Sequence, residues 1–268
     1  MKIAIRTDNL DDLLKAKAKY GDKALILAGG TDVNVKRNRG LIGPEVIISI
    51  SGITDMKGIV PEKGKLVIGS LSTHSDIEND AAVKRRAFPL HMSCAAIGSP
   101  QIRNTGTLGG NIGTASPAGD TLPSLVLLDS IINVMSIRGT RKIKAAKFFT
   151  GPGKTVLEKD EIIYSVEVPL GYTSSNSGFF KLGMRDALAI SVLSVAWYFD
   201  KNGTVGLSFG GVSPVVKRIL VKQGLSETAF RKKVSGIISP IDDIRAGAGF
   251  RRGVVTDIAF KVYRDGGI

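Results

Sequence analysis

The sequence predicts an α+β protein: two α/β units over about residues 1–52 and 53–170, then a small C-terminal α+β domain over 177–268. Three observations predict it. The first fifty residues alternate strand-like and helix-like periodicity, short alternating strands close the next unit, and a small, polar stretch from Gly171 to Gly178 precedes a run of strands followed by helices. The C-terminal domain is expected to hold a three-stranded antiparallel sheet and helices.

In order, Ile3–Arg6 alternates as a strand, continuing the pattern from Met1 and Lys2. Asn9–Tyr20 reads as a helix, with Asp8 or Asn9 as N-cap and Leu10, Leu13 and Leu14 at helical spacing. Ala24–Ala28 reads as a strand buried at Leu25-Ile26-Leu27, and Val46–Ile50 as another. In the second unit Lys65–Gly69 predicts a strand, His74–Asn79 and Ala81–Ser99 helices, and Gly106–Gly119 an irregular loop. Ser130–Ser136 and Thr140–Lys144 form a hairpin about Arg138-Gly139-Thr140, and Glu161–Val168 completes the sheet. Gly178–Gly183, Ile190–Asp200 and Thr204–Gly210 read as a meander turning at Lys201-Asn202-Gly203. Pro214–Gly224, Ser226–Ile237 and Phe250–Tyr263 read as helices.

Composition narrows the function. The longest apolar stretches, such as Ala187–Ala196, are short and interrupted by Ser191 and Ser194, well under the ~20 residues of a membrane span. The N-terminus lacks the long apolar region of a signal peptide, so a cytoplasmic location is expected. One cysteine, Cys94, supports neither an internal disulfide nor an iron–sulfur cluster and reads as a buried small residue on a helix. His74 and His91 show no ligand spacing, so no metal site is expected. The net charge of +13 is compatible with nucleic acid, an anionic cofactor or an acidic partner subunit. No aromatic residues are interleaved among the basic clusters as stacking platforms, so no nucleic-acid partner is expected.

Two loops carry the chemistry. In Ile26-Leu27-Ala28-Gly29-Gly30-Thr31-Asp32 a strand runs into two glycines, a hydroxyl and a carboxylate. Gly29 and Gly30 let backbone N–H groups approach a phosphate without an intervening Cβ. The spacing is not that of the dinucleotide-binding fingerprint, and a strand followed by two glycines is also an ordinary turn. The second loop is longer: Ile97-Gly98 leads through Thr107-Leu108-Gly109-Gly110-Asn111 and Thr114 to Ser116-Pro117-Ala118-Gly119-Asp120. So long a polar stretch, flanked by apolar segments, suits backbone laid against a large polar ligand.

These loops together resemble the FAD-binding medium subunits of molybdenum hydroxylases, the family of xanthine dehydrogenase and aerobic carbon monoxide dehydrogenase. The resemblance runs through Phe148–Thr155, Glu161-Ile162-Ile163 and Phe180–Arg185 to Asp243–Arg252. It departs near the end, where the family usually has Ser at Gly247 and Tyr at Phe250. The resemblance implies a vanillyl-alcohol-oxidase-type (PCMH-type) FAD-binding domain and non-covalent FAD. Ile26, Leu27, Ala28, Gly29, Gly30, Thr31 and Asp32 would wrap the pyrophosphate and ribityl chain. Thr107, Leu108, Gly109, Gly110, Asn111 and Thr114 would line the other side, and Asp120 would face the adenosine portion. Ile97 and Gly98 would pack on the cofactor, Ile162 and Ile163 would lie near adenine, and Lys181 near the isoalloxazine ring. A side chain at Gly110 is expected to block FAD while sparing the fold.

Beside these stand plainer readings: Asp32 and Asp120 as helix caps, Lys181 and Arg185 as strand-edge charges, and His74 as a structural residue rather than a covalent flavin attachment point. The resemblance further implies partners, a [2Fe-2S] small subunit and a molybdopterin-binding large subunit. Electrons would pass through FAD to NAD, quinone or oxygen, with no acid, base or nucleophile in this chain. A branch that inserts a cysteine-ligated cluster into the flavin subunit is excluded by the single cysteine. The alternatives are a self-sufficient FAD-dependent oxidase and, remotely, a basic nucleic-acid-binding module.

Overall fold

The computed structural model of the protein describes residues 3–185 and 188–268. Met1 and Lys2 of the N-terminal alternating segment, and Ala187 at the head of the apolar stretch, lie outside the described residues. The first unit contains β1 (Ile3–Arg6), α1 (Leu10–Tyr20), β2 (Ala24–Leu27), α2 (Val33–Asn38) and β3 (Val46–Ser49). Asn9 caps α1 by accepting from the Asp12 amide, and Leu13 and Leu14 are buried beneath it. The three strands form a parallel sheet with β3 in the centre. The edge strand β2 is therefore half-buried over Leu25–Leu27 rather than enclosed as expected, and its apolar side chains remain partly accessible.

The second unit runs through β4 (Ile59–Glu62), β5 (Lys65–Gly69), α3 (His74–Asn79), α4 (Ala81–Arg86), α5 (Phe88–Ala95), α6 (Pro100–Arg103), α7 (Leu108–Thr114) and α8 (Thr121–Leu127). It continues with β6 (Ile131–Ser136), β7 (Gly139–Lys144), α9 (Ala145–Phe148), β8 (Phe149–Gly151), β9 (Lys154–Thr155) and β10 (Ile162–Pro169). A five-stranded antiparallel sheet has the order β4-β5-β10-β6-β7. The alternation of β10 decides where its neighbouring residues go. Ile162 joins Leu13 and Ile48 in the first core, whereas Ile163 joins Leu108 and Ile112 in the second.

Three sequence expectations need correction here. The helix expected over Ala81–Ser99 is broken at Ala87 (φ −136°, ψ 47°), because Pro89 has no N–H and fits only a first turn. The loop expected over Gly106–Gly119 contains α7, where burial of Leu108 and Ile112 one turn apart outweighs the poor helix propensity of Gly109, Gly110 and Asn111 between them. Pro214–Gly224 is not a helix: β14 (Lys217–Lys222) pairs antiparallel with β13.

The last sheet is therefore four-stranded rather than three-stranded, in the order β11 (Ser177–Gly183), β12 (Ser191–Phe199), β13 (Thr204–Gly210), β14. β13 offers a free edge, and Val221 opposite buried Val205 gives the new strand its inward side chain. Helices α5 and α8 cover one face, where Leu127, Phe179 and Ala196 meet. α10 (Glu227–Ile237) and α11 (Ala248–Asp265) join the other, with Phe230, Val255 and Ala259 packed against Leu193 and Phe209. This wedges β11 and β12 against the segment that carries the second glycine-rich loop.

Candidate cofactor-binding site

The first loop leaves the exposed edge of the parallel sheet. Gly30 takes φ +72°, a left-handed conformation that a side chain strains, and its carbonyl accepts from the Asn34 amide. Among the described residues, none of the amides of Gly29, Gly30, Thr31 and Asp32 donates to a protein acceptor, and all four residues are half-exposed. Successive free N–H groups of this kind form a concavity suited to an anion.

Gly29 is also required by packing. A Cβ there would fall 1.8 Å from the Thr105 carbonyl oxygen, so the missing side chain lets the first loop lie against the second. The loops touch twice more. Thr31 Oγ1 faces Gly106, and Thr114 Oγ1 donates to Asp32 Oδ2 at 3.3 Å. Asp32 also pairs with Lys36 at 2.7 Å and makes no cap bond to α2.

In the second loop the amides expected to face a ligand are already used. Leu108 N donates to Ser72 O (3.0 Å), Gly109 N to Ser70 O (2.8 Å), and Gly110 N to the capping Thr107 Oγ1 (3.1 Å). A Cβ on Gly109 would meet Ser70 Cβ at 2.6 Å, so this glycine too is required by packing. What α7 presents instead is a bare face, Gly110 and Gly113, both exposed and one turn apart. A Cβ on Gly110 would lie 2.9 Å from Thr107 Oγ1, so a side chain there disturbs the cap as well as the face. At Gly113, which sequence reasoning missed, it would lie an ordinary 3.6 Å from Ile163 Cδ1. Asn111 Oδ1 accepts from Thr121 Oγ1 at 2.6 Å, tying this face to the start of α8.

Asp120 immediately precedes α8 but does not cap it. It is buried, with Oδ2 2.7 Å from Lys181 Nζ and Oδ1 accepting from the Ser191 hydroxyl. Burial raises its pKa above the ordinary carboxylate value, while Lys181 and Ser191 act to lower it. Lys181 is thus no strand-edge charge; its ammonium also donates to Ala96 O at 2.9 Å, next to Ile97. The Ile97 carbonyl in turn accepts from Arg103 Nη1, and Gly98 turns the chain at φ +48°. The two loops, Ile163 and this pair are joined by direct contacts, Thr114 to Asp32, Gly113 to Ile163 and Asn111 to Thr121 beside Asp120, with Ile163 and Asp120 themselves buried. Ile162 stands apart from them, 3% exposed on the opposite side of β10. Ser191 escaped sequence reasoning, although its interruption of an apolar run was the available signal.

His74 backs the second loop, packed by Gly106 with its Nδ1 3.8 Å from Cys94 Sγ. Burial, aided by Arg103, pushes its pKa down from 6.5 to about 4. In this interval the unfolded chain binds the additional proton, so stability falls as pH drops from 6.5 towards 4. About 3 kcal/mol is involved. Urea unfolding at stepped pH should show this loss in the parent and a flatter dependence in His74→Gln; equal slopes would refute the assignment.

Among the described residues no cluster of three or more His, Cys, Asp or Glu side chains is placed to hold a metal ion. No described helix is long and apolar enough to cross a membrane.

Residues 2–171 match the family described as the FAD binding domain in molybdopterin dehydrogenase. Over 171 residues the chain is 40% identical to the nicotinate dehydrogenase FAD-subunit of Eubacterium barkeri, an alignment covering 63% of this chain and 58% of that subunit. Over 255 residues it is 30% identical to the xanthine dehydrogenase FAD-binding subunit of Escherichia coli O157:H7, covering 90% of this chain and 87% of that one. A solved structure of carbon monoxide dehydrogenase from Hydrogenophaga pseudoflava, lacking the Mo-pyranopterin moiety of its cofactor, shares the fold. Its TM-score is 0.88 at 22% identity, over 95% of this chain and 93% of that chain. The chain belongs to the family of FAD-binding domains of molybdopterin dehydrogenases, and its cofactor is FAD.

Proposed function

We propose that this chain is the FAD-binding electron-transfer subunit of a molybdopterin-dependent hydroxylase or dehydrogenase. The observation that carries the reading is the row of four unpaired amides at Gly29–Asp32, set beside the bare Gly110–Gly113 face. A dinucleotide needs both: donors for its diphosphate and backbone without side chains where it lies flat.

In this reading the Gly29–Asp32 amides and Thr31 hydroxyl bind the diphosphate. Ile26, Leu27 and Ala28, half-exposed at the sheet edge, supply apolar contact, as does Ile163. Thr107, Leu108 and Gly109 shape α7, whose Gly110, Asn111 and Thr114 border the cofactor. Asp120 and Lys181 orient it by hydrogen bonding, and Ile97 and Gly98 pack on it. Residues 1–170 act as a vanillyl-alcohol-oxidase-type domain of two subdomains, with 177–268 as a separate domain behind it. Bound FAD supplies the redox chemistry, taking electrons from the [2Fe-2S] clusters of a small subunit whose partner large subunit holds molybdopterin, and passing them to NAD, quinone or oxygen. The protein's own part is to bind, orient and shield the cofactor, in the cytoplasm.

The test is an absorbance spectrum of the purified chain after incubation with FAD and removal of the excess. Bands near ~370 and ~450 nm are expected to remain with the protein. Gly113→Val, whose Cβ meets only ordinary contact in the fold, should lower FAD affinity about tenfold or more by filling the bare face. Unchanged affinity in that variant overturns the placement. Co-purification with a [2Fe-2S] protein and a molybdopterin protein encoded nearby is expected for a subunit; a lone flavoprotein would favour an oxidase.

A further inference from the structure

The segment Asp243–Arg252 has no part in the glycine-rich loops, yet it carries a tight ionic arrangement. Asp243 Oδ1 accepts from Arg251 Nη2 (2.6 Å) and from the Arg245 amide (2.8 Å), while Oδ2 accepts from Arg245 Nε (3.1 Å) and Nη2. Both guanidiniums, held by one carboxylate, reach the beginning of β12. Arg245 Nη1 donates to Ser191 O (3.3 Å), and Arg251 Nη1 donates to Val192 O (2.6 Å) and Gly211 O (2.7 Å). Arg251 is 2% exposed, so water scarcely competes for these bonds.

The β11–β12 pairing shifts register between Leu182 and Gly183, so that Gly183 faces Ser191. That irregularity puts Ser191 on the same face as Lys181, where regular alternation from Ser194 would turn it away. Ser191 Oγ and Lys181 Nζ thereby take one oxygen each of Asp120.

We infer that Ser191, its carbonyl held by Arg245 and its neighbour Val192 by Arg251, is a positioning residue of the FAD site, fixing the Asp120 carboxylate and through it the Lys181 ammonium towards the cofactor. The inference rests on the reading that Asp120 and Lys181 face bound FAD. Lys181 from β11 and Cys94 from α5 are the titratable groups facing Asp120 among the described residues, and the variants below leave both in place.

FAD titration of the FAD-free full chain, repeated from acid to neutral pH, tests it. Ser191→Ala is expected to weaken FAD binding about tenfold, the usual worth of a hydrogen bond to a charged group. The pH at which affinity declines on acidification should also move upward, because ionised Asp120 then has one donor fewer. Arg245→Ala, at a half-buried position, should weaken binding less, and the double variant should be no weaker than Ser191→Ala alone. Unchanged affinity in Ser191→Ala, a loss without the pH shift, or additive losses in the double variant would each overturn the inference. Asp120→Asn separates it from the underlying reading: unaltered FAD affinity there would remove the pair from the cofactor site whatever Ser191 does.

Discussion

Gly29→Ala is expected to lower FAD affinity by about tenfold, and to destabilise the FAD-free protein as well. The added Cβ would stand 1.8 Å from the Thr105 carbonyl oxygen and 2.7 Å from its carbon, and both obstacles are main chain. No rotamer relieves such an overlap, so the two loops must separate. Overpacking of this kind costs about 1–3 kcal/mol, and each tenfold in affinity is about 1.4 kcal/mol. Part of the cost appears as lowered stability of the FAD-free protein. The remainder appears in binding, because the separation moves the free amides of Gly29–Asp32 away from the Gly110–Gly113 face. Gly43→Ala, where nothing lies within 4 Å of the new Cβ, is the control and should bind FAD as the parent does. Fluorescence titration with FAD measures both. Parent-like affinity in Gly29→Ala would show that the loops do not depend on their mutual packing.

Lys181→Met should destabilise the protein by about 3–5 kcal/mol, the cost of leaving one half of a buried ion pair alone. Side-chain exposure is 12% for Lys181 and 8% for Asp120, so solvent offers the remaining carboxylate little compensation. The deficit has a pH signature. Burial already raises Asp120, and loss of Lys181 raises it further, so the folded state of the variant holds its proton more tightly than the unfolded chain. Stability therefore falls as pH rises through that interval, and the variant recovers on acidification. Replacing both partners, Lys181→Met with Asp120→Leu, should restore most of the loss, since no buried charge remains. Urea unfolding at two pH values checks all three outcomes; a loss under about 1 kcal/mol for Lys181→Met would refute the accounting.

Much of the backbone was legible because its causes are local. Asn9 followed by leucines at helical spacing gives α1, and Lys201-Asn202-Gly203 gives the β12–β13 turn. The misreadings share a physical cause. Lys217–Lys222 takes its state from the free edge of β13, and Leu108–Thr114 from the pocket that receives Leu108 and Ile112. Neither neighbour is near in sequence.

The site divides in the same way. The sequence by itself marked the two glycine-rich loops, because the need for Gly at a given position is written in the residue, and the family and cofactor followed from the resemblance its motifs carry along the chain. Only the tertiary structure decided what each glycine is for. It assigns Gly29 and Gly109 to the packing of chain on chain, frees the Gly29–Asp32 amides, and exposes Gly110 and Gly113. It also joins Asp120, Lys181 and Ser191 across three elements. A missing side chain leaves the same letter whether a ligand or another backbone fills the space, and only the positions of distant segments distinguish the two.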